Sequence, residues 1–321
     1  MSHGSRALLA GLVDYAGLFP PAALDLGPAV RHFAGYRTGP DAWMLGRFVV
    51  PASRLEELDE HAPRVAGGPP ARLSVLGLPP DGPGADAWSR AARRTLDAAR
   101  DLERRHDGAF LADRFEIKLP APLAADADAL AGALTDLDEA YRAGGGDGPQ
   151  AALEVPYLDA PETVGSAAQA VAEANGRADR PAFALKLRCG GVTPDLVPGV
   201  EPLAAAVASA LAAGAPFKAT AGLHHPLPNW DEAVGARMHG FVNVFGGAAL
   251  ARIHGLGPDD LAEILESADP AHWRLDGDGL GWRSLRTSPA ELADAREQAA
   301  LSFGSCSFDE PREDLRALGW L

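Results

Sequence analysis

The chain is expected to fold as a single α/β domain, a (βα)8 barrel of the TIM type, and three observations lead there. Short apolar runs rich in β-formers alternate with Ala-, Leu-, Glu- and Arg-rich stretches of helical periodicity, the pattern of a parallel sheet with helical crossovers. Eight such units can be counted, the number that closes a barrel. The length of 321 residues suits one barrel with extensions.

The expected strands, in order, are Leu12–Gly17, Met44–Val50, Arg72–Leu78, Arg114–Leu119, Ala151–Val155, Phe183–Arg188, Pro216–Thr220 and Phe303–Ser307. Helical spacing of apolar residues marks Leu26–Tyr36, Ala85–His106, Ala124–Ala143, Pro161–Asn175, Val200–Ala213 and Arg312–Leu318 as crossovers or closing helices. The segment from His272 to Trp282 has an Asp-Gly-Asp-Gly centre between aromatic flanks and predicts an inserted β-hairpin near residues 272–283. A rival register starts the barrel at Met44–Val50 and counts this segment as a barrel strand. An open doubly wound sheet fits less well, because no GxGxxG follows the first strand and no Walker loop occurs. The opening Met1-Ser2-His3-Gly4-Ser5 is assigned no structural role.

Composition narrows the function. Lys and Arg total 29 against 44 Asp and Glu, a net charge of −15, with no basic run. That balance argues against nucleic acid or an anionic membrane as partner and leaves a small molecule. The two cysteines make no disulfide framework and no zinc ladder. The apolar run Ala7–Val13 is cut short by Asp14, and no stretch reads as a bilayer span, so a cytoplasmic protein is expected. The sequence leaves a homo-oligomer open.

The strands carry charges where a doubly covered strand should be apolar. Glu116 and Lys118 lie two apart and share a face, as do Lys186 and Arg188, and Lys218 and Thr220; Glu154 stands alone between Leu153 and Val155. The intervening Ile117, Leu187 and Ala219 suit the helix-facing side. The charged set is therefore expected inside the barrel near the carboxyl ends of the strands, as a ligand pocket or as an architectural ion-pair network. Lys186, Lys218, Glu116 and Glu154 are the candidate catalytic residues. Arg188 and Lys118 are candidate anion binders. The loops add Asp14, Tyr15, Gly190, Gly191, Thr220, His224 and Ser305 as candidate substrate contacts.

His224-His225 lacks the HxH or HExxH spacing of zinc enzymes, and adjacent extended residues point apart, so one is expected to reach the pocket. Either no cofactor is needed or a divalent Mg, Mn or Zn ion is held by His224 with Glu116, Glu154 or Asp14. Cys189 beside Arg188 is read as packing or as a thiol of lowered pKa. His239 and Asn243, four apart, are expected on one helical face, hydrogen-bonded in the core.

Two resemblances rest on particular strings. VDYAGLFPPA, KLRCGGVTP, PFKATAGLHHP and GSCSFDEPREDLRALG resemble those of an uncharacterised bacterial protein family. Phe217-Lys218-Ala219-Thr220-Ala221-Gly222 resembles the Schiff-base strand of deoxyribose-phosphate aldolase, K-T-S-T-G, a (βα)8-barrel class I aldolase acting on a phosphorylated aldehyde. That resemblance implies Lys218 as the amine nucleophile and Lys186 as the second lysine that lowers its pKa. The chain departs from the family in placing the second lysine on the preceding strand. The expectation is an aldolase-like lyase or isomerase for a small anionic carbonyl compound, working through a lysine imine. Its rivals are a metal-dependent enzyme that stabilises an enolate and a non-catalytic barrel serving as a binding or assembly subunit.

Overall fold

The computed structural model describes residues 2–82, 84–143 and 150–321. Thirteen strands occur among them: β1 (Val13–Tyr15), β2 (Leu45–Pro51), β3 (Ala71–Leu76), β4 (Phe110–Lys118), β5 (Gln150–Glu154), β6 (Phe183–Arg188) and β7 (Phe217–Thr220); a hairpin of β8 (Asn229–Asp231) and β9 (Ala236–Met238); a small sheet of β10 (Trp273–Asp276), β11 (Gly279–Trp282) and β12 (Leu285–Thr287); and β13 (Ala300–Ser305). β1 to β7 and β13 form a closed, all-parallel barrel of eight strands. Closure is made by β1 on β13, with Asp14 opposite Gly304 and Tyr15 opposite Ser305. The chain is thus a single-domain (βα)8 barrel whose first strand is the segment after Leu12, and the rival register is excluded.

The helices follow their apolar spacing. Ala85–Arg105 buries Trp88, Ala92, Leu96, Ala99 and Leu102 on one stripe, and Arg104 and Arg105 in its last turn suit the negative end of its dipole. Val200–Ala213 ends as expected, on Gly214 in the left-handed conformation at φ 69°. The expected single helix Ala124–Ala143 is two, Ala121–Ala125 and Ala127–Ala143. Asp126 breaks it by accepting the amide of Ala129 at 3.0 Å, a cap that starts the second helix. The 20-residue segment Pro194–Ala213 is apolar enough to span a bilayer by composition, at mean hydropathy 1.6. Its continuous α-helix has 14 residues, about 21 Å at 1.5 Å per residue, short of a hydrocarbon core of ~30 Å.

Two expectations change at the amino-terminal side of the barrel. The inserted hairpin is there, with Trp273 opposite Trp282, but β12 extends it to three antiparallel strands. The opening residues are structural. Ser2 caps the helix His3–Leu9, Ser5 Oγ donates to the Trp320 carbonyl at 2.6 Å, and Gly4 lies where a Cβ would come within 2.5 Å of the Gly279 and Asp276 carbonyls. Only glycine lets this helix rest on the backbone of the small sheet. Met1 lies outside the described residues. His239 precedes its helix, which starts at Phe241, so it shares no helical face with Asn243. Each still bonds backbone in the core: His239 to Pro198, Asn243 to Ile264 and Ser267.

Candidate active site

Inward-facing positions of a barrel this size are filled by layers of side chains, ordinarily branched and apolar. Here many of them are charged. From β1, β4, β5, β6 and β7 come Asp14, Arg114, Glu116, Glu154, Lys186, Arg188 and Lys218, joined by Ser74 of β3 and Ser302 of β13. The carboxylates and ammoniums form one alternating chain. Lys218 Nζ bonds Asp14 and, at 2.8 Å, Glu116; Lys186 Nζ bonds Glu116 at 2.9 Å and Glu154 at 2.8 Å; Arg188 bonds Glu154 at 3.2 Å.

This chain runs from the dry core outward. Side-chain exposure rises from 0% at Asp14 and Lys218 to 2% at Glu116, 7% at Lys186, 15% at Glu154 and 30% at Arg188. At the inner end Ser302 Oγ donates to Asp14 at 2.8 Å and itself accepts from Arg114 at 2.6 Å, while Ser74 Oγ donates to Glu116 at 2.6 Å. Burial on its own raises the pKa of each carboxylate, but the facing cations outweigh it. Asp14, Glu116 and Glu154 are all held below the ordinary carboxylate range, by Lys218, by Lys186 with Lys218, and by Lys186 with Arg188 respectively. Burial works to lower the pKa of Lys186 too, and Glu116 and Glu154 reverse it, so this ammonium is firmly charged at rest.

Above the chain, at the carboxyl ends of the strands, opens a cavity of about 370 Å³. Its walls include Glu116, Glu154, Lys186, Arg188, Thr220, Gly191 and His224, all expected from the sequence. The loops after β1 and β13 meet there as barrel closure requires, bringing Phe19, Pro20 and Pro21 beside Gly304 and Cys306.

The other expected contacts sit elsewhere. Lys218 and Asp14 have no exposed surface and stand behind Glu116, off the cavity wall. Lys118 keeps the inward parity of Glu116 but is exposed at the end of β4, with no ion pair among the described residues. Tyr15 follows an inward Asp14 and so faces the helices, stacked on Phe48 at 6.0 Å and edge-on to Tyr36 at 5.3 Å. Burial pushes its phenol up to about 12. Ser305 turns away between the wall residues Gly304 and Cys306, and its hydroxyl accepts from the Ser307 amide. Gly190 is a packing glycine, since a Cβ there would lie 2.7 Å from Gly222 Cα. The Gly190-Gly191 pair leads into a three-residue turn, Pro194–Leu196, and the next α-helix begins only at Val200. Cys189 is fully buried, and burial drives its thiol up to about 12 against the weaker pull of Arg188.

The two histidines divide as expected. His225 Nδ1 bonds Asp314 at 2.5 Å, outside the cavity, while His224 lies on the wall with Nδ1 3.1 Å from Glu310 and 3.9 Å from Cys306 Sγ. Burial disfavours the His224 imidazolium, but Cys306 and Glu310 outweigh it and lift the pKa to about 10. A histidine with a raised folded pKa stabilises fully below its unfolded value of about 6.5 and loses that contribution as pH climbs toward 10. The melting temperature of the wild type relative to His224→Gln should therefore fall across that window, and a pH-independent difference would show that His224 is neutral in the fold.

Among the described residues no group of three or more His, Cys, Asp and Glu side chains converges as metal ligands. The donors considered for a divalent ion are engaged: Asp14 and Glu116 by Lys218, Glu154 by Lys186 and Arg188, and His224 by Glu310. Arg114, Ser74, Ser302 and Glu310 belong to the site but were not singled out from sequence. Arg114 carried a usable signal, two residues before Glu116 on the same face. No protein-family model matches this chain, and no curated protein matches it.

Proposed function

We propose that the barrel is a lyase or isomerase for a small anionic carbonyl compound, with Lys186 as the group that meets the carbonyl. The observation that carries this reading is that Lys186 lies on the cavity wall, held between Glu116 and Glu154 and one ion pair away from Arg188. In the aldolase-like resemblance the nucleophile was Lys218, whose Nζ is sealed behind Glu116; the role passes to its neighbour on β6.

The ion pairs also suggest how a charged lysine becomes a nucleophile. A substrate carboxylate or phosphate gripped by Arg188 draws that cation away from Glu154. Glu154 then loses one of its two cationic partners, its pKa rises, and it takes the proton of Lys186. The free amine adds to the carbonyl carbon and water leaves. The resulting iminium accepts the electron pair of an adjacent C–H bond, whose proton passes to a carboxylate, or of an adjacent C–C bond, whose departing carbon leaves as a second carbonyl as its hydroxyl proton passes to the carboxylate. Reprotonation at carbon and addition of water then release product and restore the amine. Glu116 and Glu154 supply the proton transfers.

The pairing among these charges leaves an open cavity at the face where barrel enzymes carry their sites, which supports catalysis over a purely architectural or assembly role. Two free cysteines and a net charge of −15 fit a cytoplasmic enzyme without nucleic-acid or membrane partners. The test is borohydride trapping with pyruvate and related 2-oxo acids, followed by peptide mass mapping. The expected adduct is on the β6 peptide at Lys186. An adduct on Lys218 would return the nucleophile to β7, and activity lost to chelator with no lysine adduct would favour the metal-dependent enolate reading.

A further inference from the structure

The cavity wall is divided by strand, and the division says what the rest of the substrate is made of. Every charged strand residue on the wall comes from β4, β5 or β6: Glu116, Glu154, Lys186 and Arg188. A second side, built by the loop after β1 and by β2 and β3, contributes Phe19, Pro20, Pro21, Val49 and Leu76, none with a polar side-chain group. Because the barrel is closed in the order β1, β2, β3, β4 and onward, these are two adjoining sides of one cavity, and the third side, from β7 and β13 and the loops after them, adds Thr220, His224 and Cys306.

We infer that the substrate is amphipathic, a 2-oxo acid whose anionic carbonyl end meets the β4–β6 wall and whose apolar side group lies on Phe19, Pro21, Val49 and Leu76. The inference rests on the proposed reading of the site and narrows its substrate class. A polyhydroxylated chain laid on the side built by Phe19, Pro21, Val49 and Leu76 would place hydroxyls against side chains with nothing to accept or donate, exchanging bonds with water for none. An alkyl or aryl group gains there instead, by about fourfold in affinity for each methylene taken out of water. A cavity of about 370 Å³ is near the small end for ligand sites, in keeping with a short side group over a large one.

Calorimetric titration of the full chain with pyruvate, 2-oxobutanoate, 2-oxopentanoate and 4-methyl-2-oxopentanoate tests this directly, with glyceraldehyde 3-phosphate and dihydroxyacetone phosphate as polar comparators. Affinity should climb about fourfold per added methylene, and both phosphates should bind more weakly than the longer acids. Leu76→Asn should flatten the climb, losing more affinity for the longer acids than for pyruvate. Pyruvate bound with no gain along the series would overturn the apolar contact while leaving the carbonyl-acid reading of the site in place. Tightest binding of a sugar phosphate would overturn this inference alone. Failure of the whole panel to bind would overturn both.

Discussion

Lys218→Met is expected to destabilise the fold by about 3–5 kcal/mol, the cost of leaving a buried charge without its partner. Lys218 Nζ is fully buried and bonds two carboxylates, Asp14 and Glu116. Methionine fills much the same volume, so little of the loss comes from a cavity. What remains is electrostatic, and it falls unevenly. Glu116 keeps Lys186 at 2.9 Å and the Ser74 hydroxyl. Asp14 keeps the Arg47 amide, the Ser302 hydroxyl and an Arg114 guanidinium 3.7 Å away. Its lowered pKa rests chiefly on Lys218 working against burial.

The double variant Lys218→Met with Asp14→Asn should therefore lose less than the sum of the two single losses, by roughly 0.5–3 kcal/mol. Denaturant titration of the four proteins measures this. The sign of the pH dependence follows from the same pairs. Carboxylates with depressed folded pKa values add stability above about pH 4 that disappears as pH falls through those lower values, and Lys218→Met should shrink that acid-side loss. A Lys218→Met protein within about 1 kcal/mol of wild type, as expected of an exposed pair, would contradict the structural role assigned to this lysine.

How far the sequence could be read depends on which physical rule was in force. Period-two alternation placed Glu116, Glu154, Lys186, Arg188 and Lys218 inside the barrel, and the structure puts them in one chain of ion pairs. Alternation says nothing about depth. Lys186 and Lys218 are register partners on adjacent strands, yet one touches the cavity and the other is sealed, because Asp14 and Glu116 both reach Lys218 from other strands. The same alternation, applied to the first and last strands, would have turned Tyr15 and Ser305 outward. Both fall inside the expected strands Leu12–Gly17 and Phe303–Ser307, at the ends that lead into the cavity loops. Gly190 needed a neighbour 32 positions away, Gly222, and Gly4 needed the carbonyls of Asp276 and Gly279. Contacts of such range leave no local periodicity. Nor does β12, three residues long, carry enough alternation to be seen.

Lys186→Arg is expected to leave the fold nearly unchanged while turnover of whichever 2-oxo acid is trapped by borohydride falls by at least about 10²–10⁴-fold. Arginine keeps the positive charge that Glu116 and Glu154 require, so neither carboxylate is stranded. It removes the amine, because a guanidinium does not deprotonate in the working pH range and cannot form the imine. The loss should appear in kcat and in kcat/KM alike, the mark of an interaction made on the way to the transition state. Arg188→Lys makes the contrasting case. It keeps a cation but gives up the two-pronged grip on an anionic group, so its main effect should be a raised KM. Steady-state kinetics on the two variants separates the roles. If Lys186→Arg turns over at the wild-type rate, the lysine acts only as a fixed charge and the imine is excluded. If Arg188→Lys lowers kcat with KM unchanged, the cation acts on the transition state instead of on substrate binding, and the deprotonation of Lys186 by way of Glu154 loses its trigger.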